Sequence, residues 1–157
     1  MIYKNSYKER NTISITSETK CEIYLKSKNI SYIYFGWNNE IKDKMQIGKG
    51  YFYLDYRLQK QPDFLIKSKT NSKFYFLECK SFDKNDYLRL KDCDLKGYKY
   101  WNFFIDVYLF IYSFKKNIHK IIELNKLIEI SKDCETELMP DNKEPYKLIH
   151  LNKLNYD

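Results

Sequence analysis

Histidine is almost missing from this chain: His119 and His150 are the only two in 157 residues. That scarcity argues against nucleases built on histidine and against a His-rich metal centre. Cysteine is sparse and scattered. Cys21, Cys79, Cys93 and Cys134 show no CxxC spacing, which speaks against a zinc site and for reduced thiols in a cytoplasmic protein. No signal-peptide pattern is visible at the first residues. The longest apolar run, residues 103–112, carries Asp106 and is too short to span a bilayer, so no membrane partner is expected. Internal repeats and low-complexity tracts are also lacking.

What is present is apolar and basic. Aromatic residues make up 18% of the chain and hydrophobic residues 43%, which excludes a disordered chain. The length suits one domain, residues 1–157, with a core of its own. The net charge is +7, carried almost wholly by lysine. A basic balance points to a polyanion such as nucleic acid. Lys, Asn, Ile and Tyr also have A/T-rich codons, so charge alone carries little weight.

The richest stretch is residues 62–80, PDFLIKSKTNSKFYFLECK. Two short apolar runs, residues 64–66 and 74–77, flank a polar turn, which predicts a β-hairpin. Side chains alternate faces along a strand, so Glu78 and Lys80 share a face and Cys79 takes the other. Asp63 opens the first strand and falls opposite the end of the second. The hairpin thereby gathers two carboxylates and one ammonium. Two carboxylates suit Mg²⁺, a hard ion that takes oxygen ligands and keeps several waters. Such a metal lowers the pKa of a bound water and polarises a phosphoryl oxygen. A lysine beside it can orient that water or offset charge in the transition state.

Around the hairpin, residues 1–12 read as a loose arm. A first helix is expected from Ser14 or Thr16 to Lys28, with Cys21, Tyr24, Leu25 and Lys28 on one stripe and Glu18 at its rim. Residues 30–37 read as a strand, with Gly36 at a bulge or at its end. Residues 45–56 read as a further extended segment whose aromatics, interleaved with Lys49, Arg57 and Lys60, suit core packing or base stacking. Residues 83–102 read as a second helix capped by Asp83, residues 103–114 as a buried strand and residues 118–124 as another. A short helix over 124–130, an acidic loop over 131–145 and a last strand over 145–154 complete the reading.

Pro62-Asp63, a fifteen-residue step and then Glu78-Cys79-Lys80 resembles the motif of the PD-(D/E)xK nucleases, a superfamily that includes restriction endonucleases, archaeal Holliday-junction resolvases and phage nucleases. The resemblance covers roughly residues 14–124, with residues 125–157 as C-terminal additions. It implies an α/β, restriction-endonuclease-like core, a mixed β-sheet flanked by helices in the order αβββαβ. It also implies a metal-dependent endonuclease. Asp63, Glu78 and the peptide carbonyl of Cys79 would hold Mg²⁺ or Mn²⁺, and Lys80 would assist the attacking water. The step from Glu18 to Cys21, Leu25 and Asn29 resembles the family's first-helix acid, which adds Glu18 to the catalytic and metal set; Glu22, one turn on, does not follow that step. Lys91 falls where several members carry a basic or amide residue, and Lys84 and Lys91 would meet phosphates. DNA is the implied substrate, with RNA cleavage, or a scaffold of the same fold without cleavage, as the alternatives. Resolvases and many restriction enzymes dimerise, which leaves a homodimer open.

Overall fold

The structure, a computed structural model, describes residues 7–37, 50 and 53–154, with side chains from Thr16 onward. Most of the segment 45–56 read above as extended lies outside the described residues.

Helix α1 spans Tyr7–Ser27 and strand β1 spans Ser31–Tyr34. The helix starts earlier than the sequence pattern suggests, so residues 7–12 are not part of a loose arm. A four-residue helix α2, Tyr56–Gln59, follows, capped by the Asp55 side chain on the Arg57 amide. Tyr56 is therefore helical, not extended. The expected hairpin is β2, Phe64–Lys67, and β3, Phe74–Ser81, with Phe64 opposite Leu77.

Residues 83–102 do not form one helix. They divide into strand β4, Tyr87–Lys91, and helix α3, Asp92–Asn102. The reason lies in the spacing of Leu88 and Leu90. Both are buried while Tyr87 and Arg89 are exposed, a period of two that fits a strand. Asp83 does not cap a helix. Its carboxylate takes the amides of Asn85 and Tyr87 and closes the turn before β4, with Asp86 at φ 63°.

Strands β5, Val107–Ser113, and β6, Ile118–Glu123, come next, then α4, Leu124–Lys132. The residues after α4 are not only loop: β7 spans Thr136–Leu138 and β8 spans Pro145–His150, ending in a 3-10 turn at Leu151–Leu154. One sheet has the order β1-β2-β3-β5-β6, and a second has the order β4-β8-β7. In the first, β3 pairs with β5 in parallel and the other neighbours are antiparallel.

The central strands bury both faces, as strands flanked by helices do. Leu77 and Cys79 of β3, with Phe110 and Tyr112 of β5, pack against Cys21 and Leu25 of α1. Phe76, Leu109 and Ile111 face the other way, onto Tyr98 of α3, Leu88 and Leu90 of β4 and Leu124 and Leu127 of α4. On that second face the apolar row of β3 stops after Phe76, and Glu78 and Lys80 take its place.

Candidate active site

Asp63 is fixed through backbone and side chain alike. Its carbonyl accepts the amides of Phe35, at 2.8 Å, and Gly36, at 3.2 Å. Its Oδ2 accepts the Cys79 amide at 2.7 Å, which draws the carboxylate onto β3 beside Glu78. Gly36 is needed for this approach: a Cβ there would sit 2.9 Å from the Pro62 carbonyl oxygen and 3.0 Å from the Asp63 Cα.

Glu78, Lys80 and Asp63 open into one cleft of about 190 Å³, shared with Glu18, Trp37, Lys60, Asp94 and Tyr98. Glu78 is buried, and its Oε1 accepts the Tyr98 hydroxyl at 2.6 Å. Lys80 Nζ stands 3.2 Å from Glu78 Oε1 and 3.2 Å from Asp94 Oδ2, above the Tyr98 ring. Asp94 Oδ1 meets Lys60 Nζ at 2.5 Å. The sequence pattern's three hairpin residues thus lie together, and Glu18 of α1 lines the same cleft. Cys79 points away, onto α1, where burial pushes its thiol well above the ordinary range. Lys84 and Lys91 do not line the cleft. Lys91 ends β4 instead of riding on a helix, 3.9 Å from Glu144.

The two acids of α1 part company. Glu22 accepts the hydroxyls of Tyr32, at 2.6 Å, and Tyr34, at 2.7 Å, and pairs with Lys26 at 2.8 Å. The Lys26 contact above all, then the two tyrosines, pull its carboxyl down to about 2. Glu18 instead adds its charge to the cleft, where it pushes Asp63 up.

Electrostatics divide the cleft. Burial, then the charges of Glu78 and Glu18, raise the Asp63 carboxyl well above its ordinary range. Burial also raises Glu78, although Lys80 and Tyr98 offset part of the effect. Lys80 goes the opposite way from a lone buried amine. Burial alone would lower it, but the charges of Asp94, Glu78 and Asp63 outweigh burial and keep it cationic. Asp94 is buried too, yet Lys80 and Lys60 overcome the burial and hold its carboxyl far below the usual range.

Asp94, Tyr98 and Lys60 were not legible as site residues. Tyr98 reads as one more member of an apolar stripe. The one signal for Asp94 is its place a helical turn before Tyr98, an acid set into that stripe. Lys60 stands out in the sequence only as one of the cations interleaved with aromatics, and nothing there joins it to Asp94.

A divalent ion fits the donor set. Half-buried Asp63 and buried Glu78 are carboxylates of one cleft whose repulsion an ion would relieve. Among the described residues no group of three or more His, Cys, Asp or Glu side chains is gathered closely enough to hold a metal alone. Mg²⁺ does not need such a cage: one or two carboxylates, retained waters and substrate phosphates are its usual shell.

No protein-family model matches the sequence, and no curated protein matches it. Among solved structures, the fold is similar to that of Hjc, a Holliday junction resolvase from the archaeal hyperthermophile Archaeoglobus fulgidus. The TM-score is 0.52 at 10% identity, over 90% of this chain and 86% of that one. A nuclease from a fusselovirus aligns with a TM-score of 0.48 at 9% identity, over 98% of this chain and 88% of that one. Identity this low speaks for architecture alone, and the architecture is the one the motif implied: a mixed five-stranded sheet between helices, the restriction-endonuclease-like fold that this chain shares with the resolvase.

Proposed function

We propose that the chain is a Mg²⁺-dependent endonuclease that hydrolyses phosphodiester bonds in DNA. The observation that carries this is the gathering of Asp63, Glu78 and Lys80 in one cleft, with Asp63 Oδ2 held 2.7 Å from the Cys79 amide beside Glu78 and Lys80 Nζ 3.2 Å from Glu78 Oε1. A fold shared with a Holliday junction resolvase favours DNA over other phosphodiesters.

In this reading Asp63, Glu78 and the Cys79 carbonyl hold the ion, with Glu18 as an acid at the rim, and Mn²⁺ substitutes for Mg²⁺. When bound, the ion supplies a more acidic water and a polarised phosphoryl oxygen. Lys80 orients the attacking water and offsets charge that grows on the phosphate. The Tyr98 hydroxyl fixes the Glu78 carboxylate by its hydrogen bond and stays protonated in that buried position. Lys84 and Lys91 lie outside the cleft and serve the flanking phosphates, which supply most of the binding free energy and little base readout.

Incubation with single-stranded, duplex, flapped and four-way DNA, and with RNA of matching shapes, tests the reading. Cleavage of DNA in Mg²⁺ or Mn²⁺ and none in EDTA is expected. Binding without cleavage of any substrate in either ion would leave a nucleic-acid-binding scaffold. Cleavage confined to RNA would move the activity to the other polymer.

A further inference from the structure

Helix α3 carries two residues into the cleft from one face, Asp94 and Tyr98, four positions apart. Each engages one polar residue of β3. Tyr98 donates to Glu78, and Asp94 accepts from Lys80. Both Asp94 oxygens are engaged by ammonium groups. Oδ2 takes Lys80, and Oδ1 takes Lys60 at 2.5 Å, with the Cys93 thiol at 3.6 Å. A carboxylate bound on both oxygens by ammonium groups is poorly placed to ligate a metal but well placed to hold a lysine still.

Lys60 reaches Asp94 because α3 has a notch. A Cβ on Gly97 would lie 2.2 Å from the Lys60 Cβ and 2.7 Å from its Cγ. Those atoms are the root of the side chain, so any residue but glycine there displaces Lys60 from the helix. Lys60 and Lys80 also retain partial exposure, 29% and 25%, on the wall of the same cleft. The sequence thus spends a glycine inside a helix, where it is unfavourable by about 1 kcal/mol relative to alanine, at the point where a lysine from another segment meets Asp94.

We propose that Asp94 is a positioning residue for Lys80, keeping its ammonium beside Glu78, and that Lys60 is the counter-charge that holds the Asp94 carboxylate in that pose. The role in turnover rests on the nuclease reading above; the arrangement of the three side chains does not. Without Lys60, Asp94 is free to turn both oxygens toward Lys80 and draw it away from Glu78. Without Asp94, two ammonium groups face each other across the cleft and Lys80 leaves its place.

Two measurements test this on the full chain. The first is spectroscopic and uses metal-free protein labelled with ¹⁵N in the lysine side chains. Lys80 should give a protected ammonium signal, assigned by its loss in Lys80→Arg. That signal should shift or lose protection in Asp94→Asn, in Lys60→Met and in Gly97→Ala. The last variant leaves all three charged groups intact and favours the helix, so it remains informative if Asp94→Asn fails to fold. A Lys80 signal unchanged in Lys60→Met and Gly97→Ala overturns the proposal whether or not the protein cleaves DNA.

The second is kinetic. Displacing a catalytic group by about an ångström costs on the order of 10²-fold, so Asp94→Asn should lower kcat by about that factor with KM nearly unchanged. Lys60→Met should cost about tenfold by the same route and add nothing in the Asp94→Asn background. Wild-type kcat in Asp94→Asn, or losses that multiply in the double variant, would overturn the shared role. Absence of cleavage by the wild type in any divalent ion would sink the nuclease reading and leave the spectroscopic arm to decide the arrangement.

Discussion

The two sides of the cleft treat their carboxylates in opposite ways. On the hairpin side, Asp63 and Glu78 face each other and Glu18, with Lys80 as the nearby cation, and both carboxyls are raised. On the helix side, Asp94 lies between two lysines and its carboxyl is lowered. Burial acts alike on all three. What differs is the charge that each meets after leaving water. A carboxylate neutralised by two ammonium groups of the chain contributes rigidity, whereas the hairpin carboxylates share the single ammonium of Lys80 and, in the proposed reading, would take a cation from outside. The difference separates the acids proposed for a metal from the acid proposed for positioning, a distinction that residue type cannot make.

The comparison is broken most severely by removing the hairpin acids. Asp63→Ala or Glu78→Ala should reduce cleavage to background while far-ultraviolet circular dichroism remains that of the folded chain. Retained activity in either variant would remove the metal assignment. Lys80→Ala should lower kcat by about 10²- to 10³-fold, the scale of losing one transition-state donor, with a smaller change in KM. Single-turnover rates under saturating DNA measure this directly.

Metal-free stability sharpens the contrast, because the two sides should respond with opposite sign. Asp94→Asn leaves two half-buried lysines facing each other and should lower stability by about 2 kcal/mol, less than for a fully buried pair. Asp63→Asn removes a crowded charge and should raise it by about 1 kcal/mol. The pH dependence follows from linkage. The raised Asp63 carboxyl gives a contribution that is full below its ordinary value of 3.8 and is lost as pH rises through the raised value. The lowered Asp94 carboxyl gives one that is full above 3.8 and is lost as pH falls through the lowered value. Both variants should therefore depart from wild type near neutral pH, in opposite directions, and converge with it in acid. Urea melts at a series of pH values in EDTA would show it; shifts of the same sign would contradict the contrast.

A smaller effect separates the acids of α1. Glu18→Gln should weaken the Mg²⁺ dependence of cleavage, read as a higher metal concentration for half activity. Glu22→Gln should leave that titration unchanged, since its carboxylate is engaged by Tyr32, Tyr34 and Lys26. The reverse result would move the metal role to Glu22. Smallest of all is Lys91→Ala, which should weaken DNA affinity alike for all sequences and reduce the salt slope by about one. Its contact with Glu144 at 3.9 Å competes with that role, and a wild-type salt slope would assign Lys91 to β4 and its neighbour alone.

The hairpin could be read from sequence because its information is local. Alternation places Glu78 and Lys80 together, and a short turn brings Asp63 opposite them. Glu18 was legible by its offset along one helix. Lys60 was not, because its meeting with Asp94 depends on how α2 packs on α3, and a glycine notch leaves no periodic signature. The second helix was misplaced for a related reason. Leu88, Leu95, Tyr98 and Trp101 suit a helix, and the period of two at Leu88 and Leu90 is too short to outweigh them without the pairing of β4 with β8, some sixty residues along the chain. Structure determined by distant partners is what a local pattern conveys least.

The parallel pairing of β3 with β5 has a consequence for the order of folding. A hairpin closes through a few residues, but parallel neighbours must wait for the whole crossover from Ser81 to Val107, which carries β4 and α3. Asp63, Glu78 and Lys80 can therefore be neighbours early, while Asp94 and Tyr98 arrive with the slow, non-local step. Substitutions in the hairpin should act mainly on the folding rate and those in α3 mainly on the unfolding rate. Along that path the hairpin acids come together before the helix that orders them, so a divalent ion present during refolding would meet the carboxylates proposed to bind it before Asp94 has fixed the lysine beside them.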